Sequence, residues 1–248
     1  MNGMPNAAAA DKIDVGGDLT VNRLGFGAMW ITGPGIWGDP PPDRDQAIQA
    51  LRRTVALNVT FIDTADSCGP EVSERLIAEA LHPYAENLAI ATKGGLVRPG
   101  PGQWVPKGRP EHLRQACEGS LARLRLDRIG LYQFHRPDPK VPIAESVGAV
   151  AELKDEGKVR HIGVSNVTED QLREAERVTA VVSVQNRYNV VDRSSDQIVD
   201  LCEQEMLVFI PWAPIEETGA IPAVMAAARA ARLRPTRCWC VTARRCPG

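Results

Sequence analysis

Short apolar runs rich in Val, Ile and Phe alternate along the chain with longer segments of helical period. The runs Leu24–Trp30, Phe61–Ala65, Leu88–Thr92, Ile129–His135, Val159–Val164, Val181–Gln185 and Leu207–Trp212 predict strands. The segments Asp43–Leu57, Val72–Leu81, Pro110–Leu124, Ile143–Glu156, Thr168–Val178, Ser195–Glu205 and Ile221–Leu233 predict helices. Pro110 suits a first helical turn. Thr168, with Gln171 three positions on, forms the sequence signature of a capping box. The result is seven strand–helix units, spaced about 25–40 residues apart. Such alternation implies parallel strands joined by right-handed crossovers.

Two α/β architectures fit that pattern, an open doubly wound sheet and a closed (β/α)8 TIM barrel. The first strand is followed by Ile31-Thr32-Gly33-Pro34-Gly35, which lacks the G-x-G-x-x-G of a dinucleotide-binding turn. The even repeat over nearly the whole chain favours the barrel. A barrel places its chemistry at the C-terminal ends of its strands. Those ends carry Asp63, Lys93, His135, Ser165 with Asn166, and Gln185 with Asn186. Each alone reads as an ordinary polar loop residue; their joint placement at strand ends points to one shared site.

Composition narrows the class. The chain has 248 residues, a net charge of −2, 44% hydrophobic and 24% charged residues. These values describe a globular protein large enough to need no disulfide scaffold. A nearly balanced charge gives no electrostatic support for a nucleic-acid partner. No run approaches the ~20 apolar residues of a membrane span, so no membrane partner is expected. The first residues have an alanine run without a basic region, so a cytoplasmic location is expected. Six cysteines are present. Cys68, Cys117 and Cys202 are scattered, as buried thiols are. Cys238, Cys240 and Cys246 crowd the end without the C-x2-C spacing of a zinc site, and no metal is expected.

The strand-end motifs resemble one family. Phe61-Ile-Asp-Thr-Ala-Asp66, Ala91-Thr-Lys-Gly-Gly95, Leu131-Tyr-Gln-Phe-His-Arg-Pro-Asp138, Gly157-Lys-Val-Arg-His-Ile-Gly-Val-Ser-Asn166 and Val184-Gln-Asn-Arg-Tyr-Asn189 are similar to those of the aldo-keto reductases. Arg23-Leu-Gly-Phe-Gly-Ala-Met29 fits the same family, and the ordered set runs from about Asp14 to about Ala231. The resemblance implies a barrel over residues 12–231, an atypical tail over 232–248, and a short hairpin from Lys12 to Asn22 across the barrel bottom. It implies NADPH as cofactor and a small-molecule aldehyde or ketone as substrate, reduced to an alcohol. It also assigns roles. Lys93, paired with Asp63, would lower the pKa of a proton donor, since a nearby cation favours the anion. His135 would orient the carbonyl and donate to its oxygen. Ser165, Asn166 and Gln185 would hold the nicotinamide carboxamide, with Trp212 stacked on the ring. Ala213, Pro214 and Ile215 would pass the pyrophosphate, and Met29 and Trp30 would line the cofactor or substrate side.

Two departures stand out. The family places its tyrosine donor five residues after the aspartate; here that position is Cys68. A thiol is a weak donor and much shorter than a phenol. The charge of Lys93 beside it favours the thiolate, which cannot donate a proton. Impaired carbonyl reduction is therefore expected; the alternative is an inactive cofactor-binding or interaction module. The second departure is the tail after Ala231, rich in Arg, Cys, Trp and Pro and without helical or strand period. Truncation or a frame shift would give such a tail. The barrel's eighth strand is then missing, and the edges of strands one and seven are expected to be bare.

Overall fold

A computed structural model describes residues 6–38, 43–189 and 191–214, together with the backbone of 238–240. Its strands are β1 (Lys12–Val15), β2 (Leu19–Asn22), β3 (Leu24–Gly27), β4 (Phe61–Asp63), β5 (Ala89–Gly94), β6 (Leu96–Val97), β7 (Val105–Pro106), β8 (Ile129–Phe134), β9 (Val159–Ser165), β10 (Val181–Gln185), β11 (Val208–Phe209) and β12 (Cys238–Cys240). Its helices are α1 (Arg44–Ala56), α2 (Val72–Leu81), α3 (Pro110–Leu124), α4 (Ile143–Asp155), α5 (Glu169–Glu176) and α6 (Asp196–Gln204).

Seven parallel strands follow one another in sequence order, β3-β4-β5-β8-β9-β10-β11. No strand-order reversal occurs among them, so the winding is that of a barrel and not of a doubly wound sheet. Side chains alternate across the sheet with period two. Phe61, Ala89, Ala91 and Leu131 point inward, while Ile62 and Ile90 pack outward beneath the helices.

The inward set rests on the β1–β2 hairpin, whose Ile13, Val15 and Val21 join Phe61, Leu131, Val208 and Ile210 in one cluster. The hairpin thus plugs the barrel floor, as expected. Gly16 makes this possible: it has φ +65, and a Cβ there would collide with the His161 imidazole on β9. Asp18 in the same turn bonds both His161 and Arg160.

Local signals are reproduced closely. Helices α2 and α3 have the expected bounds, and Thr168 and Gln171 form the reciprocal capping box that starts α5. The end strands are shorter than expected. After Gly27 the chain folds into a 3-10 turn over Met29–Thr32, so Trp30 is not in a strand. The run expected at Leu207–Trp212 pairs only over Val208–Phe209, and Trp212 makes an isolated bridge to Arg187.

The tail also differs from expectation. No parallel eighth strand follows β11 among the described residues. The edge of β3, however, is not bare: β12 pairs with it antiparallel, Trp239 opposite Gly25. A strand edge offers backbone donors and acceptors to any extended segment, so the apolar pattern of the tail did not foretell this pairing. The expected helix Ile221–Leu233, the boundary at 231 and 232, and Ile215 lie outside the described residues. Among the described residues, no helix is long and apolar enough to cross a membrane.

Candidate active site

The C-terminal strand ends converge as a barrel requires. Asp63 ends β4, Lys93 lies one residue before the end of β5, and His135 follows β8. Lys93 Nζ donates to Asp63 Oδ2 at 2.6 Å and to the Thr64 carbonyl at 2.8 Å, and both side chains are buried. Gln133 Nε2 donates to Asp63 Oδ1 at 3.1 Å. Burial pushes the Asp63 carboxyl up, and the Lys93 charge counters it. The pair is a rigid buried unit whose remaining carboxylate oxygen is also satisfied.

His135 is half-buried, and Ser67 Oγ lies 3.4 Å from its Nδ1. Burial, then the charges of Lys93 and Arg136, push its imidazole well below the usual range. The ring is neutral at physiological pH and presents an N–H without carrying a charge.

A second network spans β9, β10 and the segment after β11. Ser165 Oγ donates to the Gln185 carbonyl at 2.8 Å. Asn166 Nδ2 donates to Ser165 Oγ at 2.9 Å and to the His135 carbonyl at 3.1 Å. Trp212 Nε1 donates to Asn166 Oδ1 at 3.0 Å, which fixes the plane of the indole. Asn166 takes a left-handed conformation, φ 58, to make these contacts. Asparagine tolerates that region better than most residues. Asn186 instead closes a local pair with Val167, accepting from its N–H and donating to its carbonyl. Gln185 lies beside Asp63, yet its Nε2 is buried and makes no well-formed hydrogen bond among the described residues.

Cys68 is 4% exposed and packs in a small apolar cluster with Ile36 and Ala65, flanked by Met29 and Trp104. Burial raises its thiol to about 12, outweighing the opposing pull of Lys93. The expected ionisation beside Lys93 is therefore corrected: the desolvation of a buried anion wins, and the group stays a thiol.

The other expected contacts divide. Met29 reaches the site through that cluster. Trp30 is 45% exposed on the 3-10 turn and joins none of the networks above. Ala213 accepts from Asn189 Nδ2 at 3.1 Å and carries φ 53, while Pro214 is half-buried in the following turn.

Three residues escaped the sequence reading. Gln133 is a fully buried amide inside an apolar strand, two residues before His135, and that misfit was the available signal. Ser67 touches His135 across the fold. Arg98 is buried between two loops. It donates to the carbonyls of Gly35, Ile36 and Gln103, and its guanidinium lies 3.6 Å from the Trp104 ring centroid and 5.4 Å from that of Trp37. It ties the loop after β3 to the β6–β7 hairpin over Cys68; nothing local marked it.

Comparison with known proteins agrees with this geometry. The sequence model of the aldo/keto reductase family matches residues 23–229. An uncharacterized oxidoreductase of Schizosaccharomyces pombe is 50% identical over 225 residues, covering 88% of this chain and 72% of that protein. The pyridoxine 4-dehydrogenase of Escherichia coli is 40% identical over 206 residues, covering 80% of this chain and 71% of that protein. The solved glycerol dehydrogenase of Gluconobacter oxydans superposes with a TM-score of 0.74 at 31% identity. That superposition covers 82% of this chain but only 63% of the dehydrogenase, so the chain spans less than two thirds of it.

Proposed function

The chain belongs to the aldo/keto reductase family, and from that premise we propose that it is a slow NADP-dependent reductase of small aldehydes or ketones. One observation carries this reading: the buried Asp63–Lys93 pair sits beside His135 and the Ser165–Asn166–Gln185 network at the same end of the barrel.

The residues suit a nicotinamide. Gln185 Nε2 is buried beside Asp63 without a well-formed partner among the described residues, and an incoming carboxamide oxygen would satisfy it. Ser165 and Asn166 hold the neighbouring positions, and Trp212, its N–H anchored, offers a fixed ring to stack against. When bound, NADPH supplies the hydride. The chain supplies the rest. His135, neutral, donates a hydrogen bond to the carbonyl oxygen, where negative charge develops. Lys93 places a fixed positive charge nearby, held by Asp63. What is weak is proton donation from the family's usual position, where Cys68 is short, buried and firmly protonated. That weakness also favours the second reading, a barrel that binds cofactor without turnover.

Binding is tested apart from chemistry by fluorescence. NADPH is expected to quench the tryptophan emission, and Trp212→Phe to remove a large part of that quench while the fold is kept. Saturable quenching left whole in Trp212→Phe would move the cofactor away from this ring; no saturable quenching would overturn the reading.

A further inference from the structure

A carbonyl cannot become an alcohol without a proton, and the usual candidates at this site are poorly placed to give one. The Cys68 sulfur is buried in an apolar cluster with Ile36 and Ala65, and that burial holds the thiol protonated despite the nearby Lys93 charge. His135 is neutral, and a neutral imidazole is a very weak acid. Lys93 is different. Its ammonium carries three protons. Asp63 Oδ2 and the Thr64 carbonyl accept two of them, and the third has no acceptor among the described residues.

We propose that the proton reaching the substrate oxygen in this chain comes from the Lys93 ammonium, through one intervening water, and that Cys68 contributes none. This rests on the reductase reading above. The hydride that reduces the carbonyl carbon, with its two electrons, is what bound NADPH would supply. The C=O π pair moves onto oxygen. That oxygen takes a proton from the water as the water takes one from Nζ. The alcohol leaves, and the neutral amine of Lys93 regains a proton from solvent. The fixed partners of Nζ serve the relay: Asp63 and Thr64 hold the nitrogen still, so its free N–H keeps one direction.

The test uses the full chain with NADPH and an activated aromatic aldehyde such as 4-nitrobenzaldehyde, in single turnovers. Cys68→Ala is expected to change the rate less than about threefold. Lys93→Ala is expected to lose about 10²-fold or more, within the range for loss of a proton-transfer group. Added ethylammonium is expected to restore at least about tenfold of that loss, in proportion to its concentration, which a purely structural role would not do. NADPH affinity, read by fluorescence titration, is expected to survive both changes within about threefold. If Lys93→Ala does not fold, the parent chain still decides. A rate in mixed H2O and D2O that curves with deuterium fraction shows two protons in flight and supports the relay; a straight line overturns it. A hundredfold loss in Cys68→Ala, or a folded Lys93→Ala that binds NADPH and ignores ethylammonium, overturns it as well. A parent that binds NADPH but never oxidises it ends this proposal and leaves a cofactor-binding barrel; a parent that does not bind NADPH ends the reductase reading too.

Discussion

Cys68→Tyr is expected to raise carbonyl turnover by about 10²–10⁴-fold, the usual worth of a positioned general acid. The cause is reach and acidity together. The thiol is buried among Ile36, Ala65, Met29 and Trp104 and is pushed up to about 12. A phenol from the same backbone position would extend past that cluster toward Lys93, whose charge lowers the pKa of a neighbouring acid. Lys93 and Asp63 are already in place, so the substitution supplies one missing part and does not have to build a site. It has a cost. Placing a large ring in a packed cluster typically destabilises by about 1–3 kcal/mol. Arg98 and Trp104 close over this region and would have to give way. Steady-state kinetics with matched NADPH affinity checks the outcome. A gain in kcat with little change in cofactor binding is predicted. No gain in a folded, NADPH-binding variant would mean that the site has lost more than its donor.

Lys93→Met should lower the unfolding free energy by about 3–5 kcal/mol, as removal of one partner of a buried ion pair does. Once the 2.6 Å bond to Nζ is gone, Asp63 keeps the Gln133 amide as its firm partner among the described residues. Burial already pushes its carboxyl up. Without the opposing charge it rises further, and the carboxyl takes a proton or stays charged at high cost. Thr64 also loses a donor to its carbonyl. Asp63→Leu combined with Lys93→Met is expected to recover part of the stability, because it removes the stranded charge, while activity stays lost. Urea denaturation of the three variants checks this. A loss below about 1 kcal/mol in Lys93→Met would show the pair to be solvated.

The legible parts of this molecule are those with local causes. Pro110 at a helix start and Thr168 with Gln171 at another mark their helices within a few residues. Asp63, Lys93, Ser165 and Gln185 each close an apolar run, and a parallel barrel turns that sequence position into a place at one mouth. What the sequence does not carry is set by distant contacts. The 3-10 turn that takes Trp30 out of β3 follows from how Met29–Thr32 packs at the barrel end, not from its strand-like composition. The thiol of Cys68 reads as ionisable beside a lysine until its burial is known. Arg98 is invisible as a clamp because its acceptors lie on Gly35 and Ile36, far back in the chain. The pairing of β12 with β3 depends on an open edge and not on any periodicity of the tail.

The seven described parallel strands are proposed to form a pocket for the nicotinamide cofactor. A circular-dichroism melt of the purified chain, with and without NADPH, tests it most directly. A ligand bound only by the native state adds about 2.7 kcal/mol of stability at a hundredfold excess over its Kd. A cooperative transition that moves to higher temperature with NADPH is expected. A broad transition that NADPH leaves in place would contradict it.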